Sequence, residues 1–231
     1  MSPQNLPERV EAVRERVARA AAAAGRNAHS VTILAVGKAQ PVALLAAAAG
    51  CGLRHFGESY LQEALDKIAA LRDHDLTWHF VGRVQANKTR PIAASFAWVH
   101  AVDRLRVAER LSEQRPLHAP PLNVCLQVNL AGEDTKGGVA PAQLPALVRA
   151  VGALPRLALR GLMCIPPEES EPARQRAWFA RLRELLERLN AAGARLDTLS
   201  MGMSGDFEAA ILEGATIVRL GTALFGPRPV Q

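Results

Sequence analysis

Several residue types that mark particular protein classes are scarce in this chain of 231 residues. Its three cysteines, Cys51, Cys125 and Cys164, are far apart and form no C-x-x-C pair, which argues against a disulfide framework and a zinc site. No apolar run approaches the roughly 18 residues of a membrane span, and the first residues do not resemble a secretory signal. We therefore expect a cytoplasmic protein with buried, reduced thiols.

Aromatic residues make up only 4% of the chain, with a single tyrosine, although the net charge is +6. Nucleic-acid-binding surfaces commonly combine basic side chains with rings on which bases stack. The arginines here are instead dispersed along predicted helices with Asp and Glu between them, which is typical of a solvated surface. We expect neither a nucleic-acid partner nor a metal ion.

Lysine is also rare. Only four of the 28 lysine and arginine residues are lysine: Lys38, Lys67, Lys88 and Lys136. In a chain that otherwise uses arginine, a lysine marks a place where guanidinium cannot substitute, and Schiff-base chemistry is the main such task. Lys38 follows an apolar strand, where partial desolvation would lower its pKa and make the amine nucleophilic. The alternative is an amine in water at a strand end. Lys67 is predicted to be a surface lysine.

The sequence, 49% hydrophobic, alternates eight strand-like runs with helices. Alternation predicts a parallel α/β fold, and eight units favour a single (β/α)8 TIM-like barrel over a doubly wound sheet. An extra N-terminal helix over 7–24 precedes the barrel, and we expect residues 1–231 to form one domain. The predicted strands are 31–36, 54–57, 77–81, 96–102, 122–130, 157–165, 198–201 and 216–220, and Asp103 is predicted to cap a helix.

Two turns of small residues end the seventh and eighth units. Gly202-Met203-Ser204-Gly205 follows one strand, and Gly221-Thr222-Ala223 follows the next. Because unpaired N–H groups at helix starts attract anions and glycine allows close approach, Ser204 with Gly221 and Thr222 is suited to hold one phosphate from two sides. Phosphate sites commonly lie after strands 7 and 8 of such barrels. Two ordinary capped turns are the alternative.

Active sites of this fold lie at the carboxyl ends of the strands. The residues predicted to converge there are Lys38, Ser59, His79, Met163, Ser204 and 219–222. Arg219, among apolar neighbours, is predicted to point into the barrel mouth, although an ion pair with Asp197 or Glu213 would also explain it. His79 fits a core histidine equally well, and the loop with Glu133 and Lys136 fits a solvated turn.

A series of motifs spans nearly the whole chain in one order. They are LAVGK at 34–38, HFGESY at 55–60, WHFVG at 78–82, QANK at 85–88, QVN at 127–129, GLM at 161–163, LSMGMS at 199–204 and VRLGT at 218–222. Together they resemble the pyridoxal phosphate homeostasis proteins, which are similar to the N-terminal barrel domain of alanine racemase.

The resemblance implies that Lys38 holds pyridoxal 5'-phosphate (PLP) as an internal aldimine and that Arg219 faces the pyridine nitrogen. The residues implied to bind the cofactor are Lys38, Met203, Ser204, Arg219, Gly221 and Thr222. Three positions depart from the family pattern. Gly37 stands where Ser or Thr is usual, Ala39 stands where Thr or Val is usual, and Ser59 replaces Asn.

The resemblance further implies a non-catalytic, monomeric protein that buffers PLP or delivers it to the apo forms of PLP enzymes. A racemase is the first alternative, but racemisation needs a base on each face of the α-carbon. The alanine racemase family takes its second base, a tyrosine, from a C-terminal β domain of the partner subunit, and we expect no such domain in this chain. The only tyrosine, Tyr60, follows the second strand. An aldolase-type barrel acting on a sugar phosphate through Lys38 would explain the lysine and the turns but not the motifs.

Overall fold

Eight parallel strands close into a barrel in the chain order β1 to β8. The computed structural model describes residues 6–133 and 137–227. The strands are β1 Thr32–Val36, β2 His55–Glu58, β3 Thr77–Phe80, β4 Trp98–Val102, β5 Leu122–Gln127, β6 Leu157–Met163, β7 Thr198–Ser200 and β8 Ile217–Leu220. The predicted (β/α)8 barrel is confirmed.

Helices connect the strands and cover the outside of the barrel. They are α1 Leu6–Ala23, α2 Val42–Gly50, α3 Leu61–Ala70, α4 Thr89–Ser95, α5 Leu105–Gln114, α6 Leu144–Gly152, α7 Pro172–Ala191, α8 Phe207–Leu212 and α9 Thr222–Phe225. No helix of the described ranges is both long and apolar enough to cross a membrane.

The N-terminal helix α1 supports the end of the barrel that carries the two small-residue turns. Its buried stripe includes Val10, Val13 and Val17, as their helical spacing predicts. This stripe faces α8 and α9, the short helices that follow those turns. The extra helix α1 therefore packs against the helices of the last two βα units.

The main apolar core lies between the sheet and its helices, whereas the inside of the barrel contains polar as well as apolar side chains. Interiors of this fold are usually filled by Val, Ile and Leu. Here a small cluster of Ala101, Cys125 and Met163 shares the interior with His79 and His100, both almost fully buried. Polar side chains inside the barrel must find partners within it.

Several predicted boundaries and roles need correction. β5 ends at Gln127 rather than residue 130, because Val128 pairs with Val139 from the loop beyond. Asp103 does not cap α5: Arg104 occupies the N-cap position without a side-chain cap, and the Asp103 carboxylate accepts a hydrogen bond from Arg104 at 2.6 Å. Cys51 is only half-buried, whereas Cys125 and Cys164 are buried as predicted.

Candidate binding site at the carboxyl end of the barrel

A cavity of about 280 Å³ opens at the carboxyl ends of the strands. Its lining includes all six residues predicted to bind a cofactor: Lys38, Met203, Ser204, Arg219, Gly221 and Thr222. Ser59 and Gly205, the last residue of the predicted turn after the seventh strand, line it as well, together with residues that the sequence did not single out: Val36, Gln40, Val81, Ile165 and Gly226.

Two predicted members of this site are elsewhere. His79 and Met163 are buried inside the barrel and do not line the cavity. Along each strand, side chains alternate between the barrel interior and the helices outside it. A position near the end of a strand therefore did not predict whether His79 and Met163 would reach the cavity. The interpretation of His79 as a core histidine is the correct one.

The two small-residue turns form a single unit. The Ser204 hydroxyl accepts a hydrogen bond from the Ala223 N–H at 3.0 Å, which joins the turn after β7 to the turn after β8. The Gly202 carbonyl accepts from the Arg219 N–H at 2.9 Å. Gly202 has φ +89°, and a Cβ there would lie 2.6 Å from the Cβ of Ala210, so only glycine fits.

The surrounding protein does not require glycine at Gly205 and Gly221, which are two of the three glycines that line the cavity; the third, Gly226, has φ +81°. A Cβ at Gly221 would only touch the Val36 carbonyl oxygen at 3.5 Å, and a Cβ at Gly205 would meet no atom within 4 Å. The space in front of these two glycines therefore belongs to the cavity. Small residues there leave the backbone accessible to a ligand.

The segment that carries Lys38 has an unusual backbone. Lys38 is half-buried, and the next residue, Ala39, has φ +59°, a left-handed conformation that costs energy for a residue with a Cβ. The Glu63 carboxylate accepts a hydrogen bond from the Ala39 N–H at 2.7 Å. On the other side of Lys38, the Lys67 ammonium donates to the Gly37 carbonyl at 2.7 Å. The segment that carries Lys38 is thus fixed on both sides.

Lys67 is buried, with 3% exposure, which corrects the prediction of a surface lysine. Its ammonium lies 2.9 Å from Oε1 of Glu58 and 2.5 Å from Oε1 of Glu63. The i,i+4 spacing of Glu63 and Lys67 resembles an ordinary surface pair, and this concealed their role. Glu58, adjacent to Ser59 at the end of β2, supplies the buried charge that draws Lys67 inward.

Burial raises the pKa of Glu58 to about 7, although the hydrogen bond and charge of Lys67 act in the opposite direction. Glu58 is fully buried, and its Oε2 has no hydrogen-bond partner among the described residues. A Cβ at Gly37 would lie 2.7 Å from Oε1 of Glu58 and 2.9 Å from a methyl of Leu45. Ser or Thr at position 37 would therefore require this cluster to move.

Arg219 is buried, with 6% exposure, and contributes to the floor of the cavity. Its Nη1 donates to the Ser200 hydroxyl and its Nη2 to the Cys164 carbonyl, both at 2.9 Å. Burial lowers the pKa of Arg219. A guanidinium nevertheless remains charged at neutral pH, so the cavity has a permanent cation at its inner end.

The two acids that offered an ion-pair explanation for Arg219 are engaged elsewhere. Asp197 pairs with Arg160 at 2.6 Å, and Glu213 pairs with Arg176 at 2.7 Å. No carboxylate of the described ranges forms an ion pair with Arg219. The prediction that its charge points toward the barrel mouth is the one that the geometry supports.

The described residues of the loop after β5 do not line the cavity. Asn129 accepts a hydrogen bond from the Gly132 N–H at 3.0 Å and donates to the Glu133 carbonyl at 2.9 Å, which closes a turn. Lys136 lies outside the described residues.

Comparison of the sequence and fold with known proteins identifies the protein family of this barrel. The sequence profile described as "Alanine racemase, N-terminal domain" matches residues 9–229. The crystal structure of alanine racemase from Corynebacterium glutamicum shares the fold, with a TM-score of 0.67 and 20% identity over 95% of this chain and 62% of that one. The chain therefore belongs to the alanine racemase N-terminal domain family.

Relatives with higher sequence identity assign the chain to a narrower family. The "Pyridoxal phosphate homeostasis protein" of Pseudomonas aeruginosa is 60% identical over 223 residues, 96% of each chain. The protein of the same name from Escherichia coli K12 is 47% identical over 219 residues, 94% of each chain. PipY of Synechococcus elongatus, solved with PLP bound, is 38% identical with a TM-score of 0.86, over 96% of this chain and 100% of that one. The chain is a member of the pyridoxal phosphate homeostasis protein family.

Proposed function

We propose that this protein binds PLP at the cavity through a Schiff base with Lys38 and takes part in cofactor homeostasis without turning over a substrate. The observation that carries the proposal is the convergence of Lys38, the joined turns at Ser204 and Thr222, and Arg219 on one cavity. The PLP-bound structure of PipY supports it, because that relative has the same fold.

The residues present fit the chemistry of this ligand. A phosphate needs N–H and hydroxyl donors, and the unit formed by Ser204, Gly221 and Thr222 offers both beside open space. An aldehyde needs a primary amine, which Lys38 supplies. When bound, PLP supplies an electron sink whose strength depends on protonation of its ring nitrogen.

Arg219 argues for binding rather than catalysis. A buried guanidinium at the inner end of the cavity disfavours a second positive charge, so it would keep a nearby ring nitrogen unprotonated and the electron sink weak. Turnover also needs groups that exchange protons with a substrate. Apart from the Lys38 amine, which the proposed Schiff base engages, the described residues around the cavity include no carboxylate, imidazole, thiol or phenol side chain. Tyr60 is 59% exposed and does not line it.

We further propose that the protein works as a cytoplasmic monomer that stores PLP or passes it to apoenzymes. The names of the relatives from P. aeruginosa and E. coli support a role in homeostasis. Buried, unpaired Cys125 and Cys164 are compatible with a reducing compartment. Light scattering of the purified holoprotein tests the monomer.

The experiment that tests the proposal compares Lys38→Ala with a matched control. Lys88 is an exposed lysine, so Lys88→Ala removes an amine without touching the cavity. After addition of PLP, the wild type and Lys88→Ala should show an aldimine absorption band and retain cofactor after borohydride reduction. Lys38→Ala should show neither.

An unchanged band in Lys38→Ala would refute the assignment of the lysine. Mass spectrometry of the reduced protein identifies the modified peptide and shows whether Lys136 has reacted instead. Transfer is tested by mixing holoprotein with an apo PLP enzyme and following recovery of that enzyme's activity. Transfer no faster than release of PLP into buffer would remove delivery from the proposal and leave storage.

A further inference from the structure

Three histidines and a serine link the amino-terminal side of the barrel to Arg219. Nδ1 of His55 is 3.0 Å from Nε2 of His79, and Nδ1 of His79 is 2.9 Å from Nε2 of His100. Nδ1 of His100 is 2.7 Å from the Ser200 hydroxyl, which accepts from Nη1 of Arg219 at 2.9 Å. The line is continuous through the interior, and none of its histidines lines the cavity.

The environment keeps all three rings neutral. His79 and His100 are buried and His55 is half-buried. Burial lowers the pKa of all three, that of His79 well below its ordinary value and that of His100 to about 3, where the charge of Arg219 adds to the effect. Trp98 stacks on His79 with ring centroids 5.5 Å apart and 11° between the planes, which fixes the ring orientation.

Arg219 gives the line a direction. A guanidinium only donates, so Ser200 accepts from it and has one proton left to give. Among the described residues, Nδ1 of His100 is the acceptor within reach of that proton. If His100 donated to Ser200 instead, the buried hydroxyl would be left without an acceptor. His100 therefore accepts at Nδ1 and donates from Nε2 to Nδ1 of His79. Because His79 accepts at Nδ1, its proton is on Nε2, from which it donates to Nδ1 of His55, and the proton of His55 is likewise on Nε2.

We propose that His55, His79, His100 and Ser200 act as one ordered hydrogen-bond chain, with every imidazole in the Nε2–H tautomer, that positions the Arg219 guanidinium. In this arrangement each ring turns its lone pair toward Arg219 and its N–H away. The aligned dipoles present their negative ends to the buried cation and take the place of a carboxylate counter-ion.

A carboxylate at this position would neutralise the guanidinium, whereas neutral dipoles hold it in place with its charge intact. Asp206 contributes to the field at Arg219 without forming an ion pair with it. The four residues are thus positioning residues that act through Arg219. Their effect on bound PLP rests on the proposed function, whereas the chain itself does not.

The first test uses the cofactor-free wild type, in which long-range ¹⁵N–¹H spectra distinguish histidine tautomers. Of the six histidines, His29, His74 and His118 are exposed and serve as internal controls. We expect three fixed Nε2–H tautomers at His55, His79 and His100, and the buried rings of His79 and His100 should stay neutral between about pH 5 and 8. An Nδ1–H tautomer at His100, or its titration in this range, would overturn the proposal.

The second test breaks the chain beside Arg219. Ser200→Ala removes the hydroxyl, Ser200→Thr keeps it, and His74→Gln is the exposed control. Each variant is loaded with PLP labelled with ¹⁵N in the ring, and the ring-nitrogen shift is followed against pH. We expect Ser200→Ala to raise the midpoint of ring-nitrogen protonation by about one pH unit or more. The threonine variant and the control should match the wild type.

The outcomes separate the two proposals. Fixed tautomers together with an unchanged ring-nitrogen titration in Ser200→Ala would show a chain that does not act through Arg219, and this result would refute the positioning role. Failure of the wild type to retain PLP would refute the proposed function, while the tautomers of the cofactor-free protein would still decide the existence of the chain.

Discussion

Replacement of Lys67 by methionine should destabilise the protein in a manner that depends on pH. Lys67→Met preserves much of the aliphatic stem and removes the ammonium that contacts Glu58, Glu63 and the Gly37 carbonyl. We call the decrease in the free energy of unfolding relative to the wild type the deficit. Below pH 7 the deficit equals the contribution of these charge-assisted hydrogen bonds minus the cost of burying the ammonium. Since a hydrogen bond to a charged group contributes about 1.5–3 kcal/mol, we expect a deficit of about 2 kcal/mol at pH 6.

The deficit should grow above pH 7. In the folded wild type the pKa of Glu58 is about 7, against an ordinary value of 4.5. An acid with a raised pKa takes up a proton on folding, so its contribution to stability falls as pH rises from the unfolded to the folded pKa and is constant above it. In the wild type this fall ends near pH 7.

Without Lys67, both influences that lower the pKa of Glu58 are lost, and the fall continues into the alkaline range. One pH unit corresponds to about 1.4 kcal/mol, so the deficit at pH 8.5 should reach about 4 kcal/mol. That value agrees with the roughly 3–5 kcal/mol lost when one partner of a buried ion pair is removed.

Urea unfolding followed by circular dichroism at pH 6, 7 and 8.5 measures these free energies of unfolding. Lys88→Met, at an exposed lysine, is the matched control and should stay within about 0.5 kcal/mol of the wild type. Measured against Glu58→Gln alone, the double variant Lys67→Met with Glu58→Gln should show a deficit that no longer changes with pH. A deficit of Lys67→Met that is the same at pH 6 and 8.5 would refute the reasoning.

Three further outcomes are expected. Ser204→Ala and Thr222→Val should each weaken PLP binding roughly 10- to 150-fold while leaving affinity for unphosphorylated pyridoxal unchanged, as measured by absorption titration. Gly37→Ser should lower the free energy of unfolding by about 1–3 kcal/mol, measured by urea titration, because its Cβ would crowd Glu58 at 2.7 Å. The holoprotein should not racemise L-alanine in a circular dichroism assay, whereas Arg219→Glu should accelerate slow half-transamination, followed by the cofactor's absorption spectrum, provided that PLP still binds.

The barrel and the two turns were predictable because both depend on local signals. Alternating apolar runs and helices specify eight βα units, and glycine after a strand specifies a turn. Lys38 and Arg219 stood out for related reasons, since Lys38 is a charge just after an apolar strand and Arg219 is a charge within one. Local pattern was enough to place them at one end of the barrel.

The buried support of these residues was not predictable in the same way. Lys67 has a glutamate four residues before it, the pattern of a surface pair, and only the packing of α3 against the fully buried Glu58 turns it inward. His55, His79 and His100 come from three different strands, and their alignment depends on barrel register rather than on any spacing within the sequence. Interactions between distant segments of the chain carry this information.

Hydrogen bonds fix the backbone on both sides of Lys38 and the side chain of Arg219, the two basic residues that line the cavity. The segment of Lys38 is fixed through its backbone, at Gly37 and Ala39. Arg219 is held through the guanidinium itself, by a hydroxyl and a carbonyl. Neutral partners leave its full charge at the inner end of the cavity. A site with a reactive amine at one position and an undiminished cation at the other is suited to capture an aldehyde and to suppress the carbanion chemistry that would consume it.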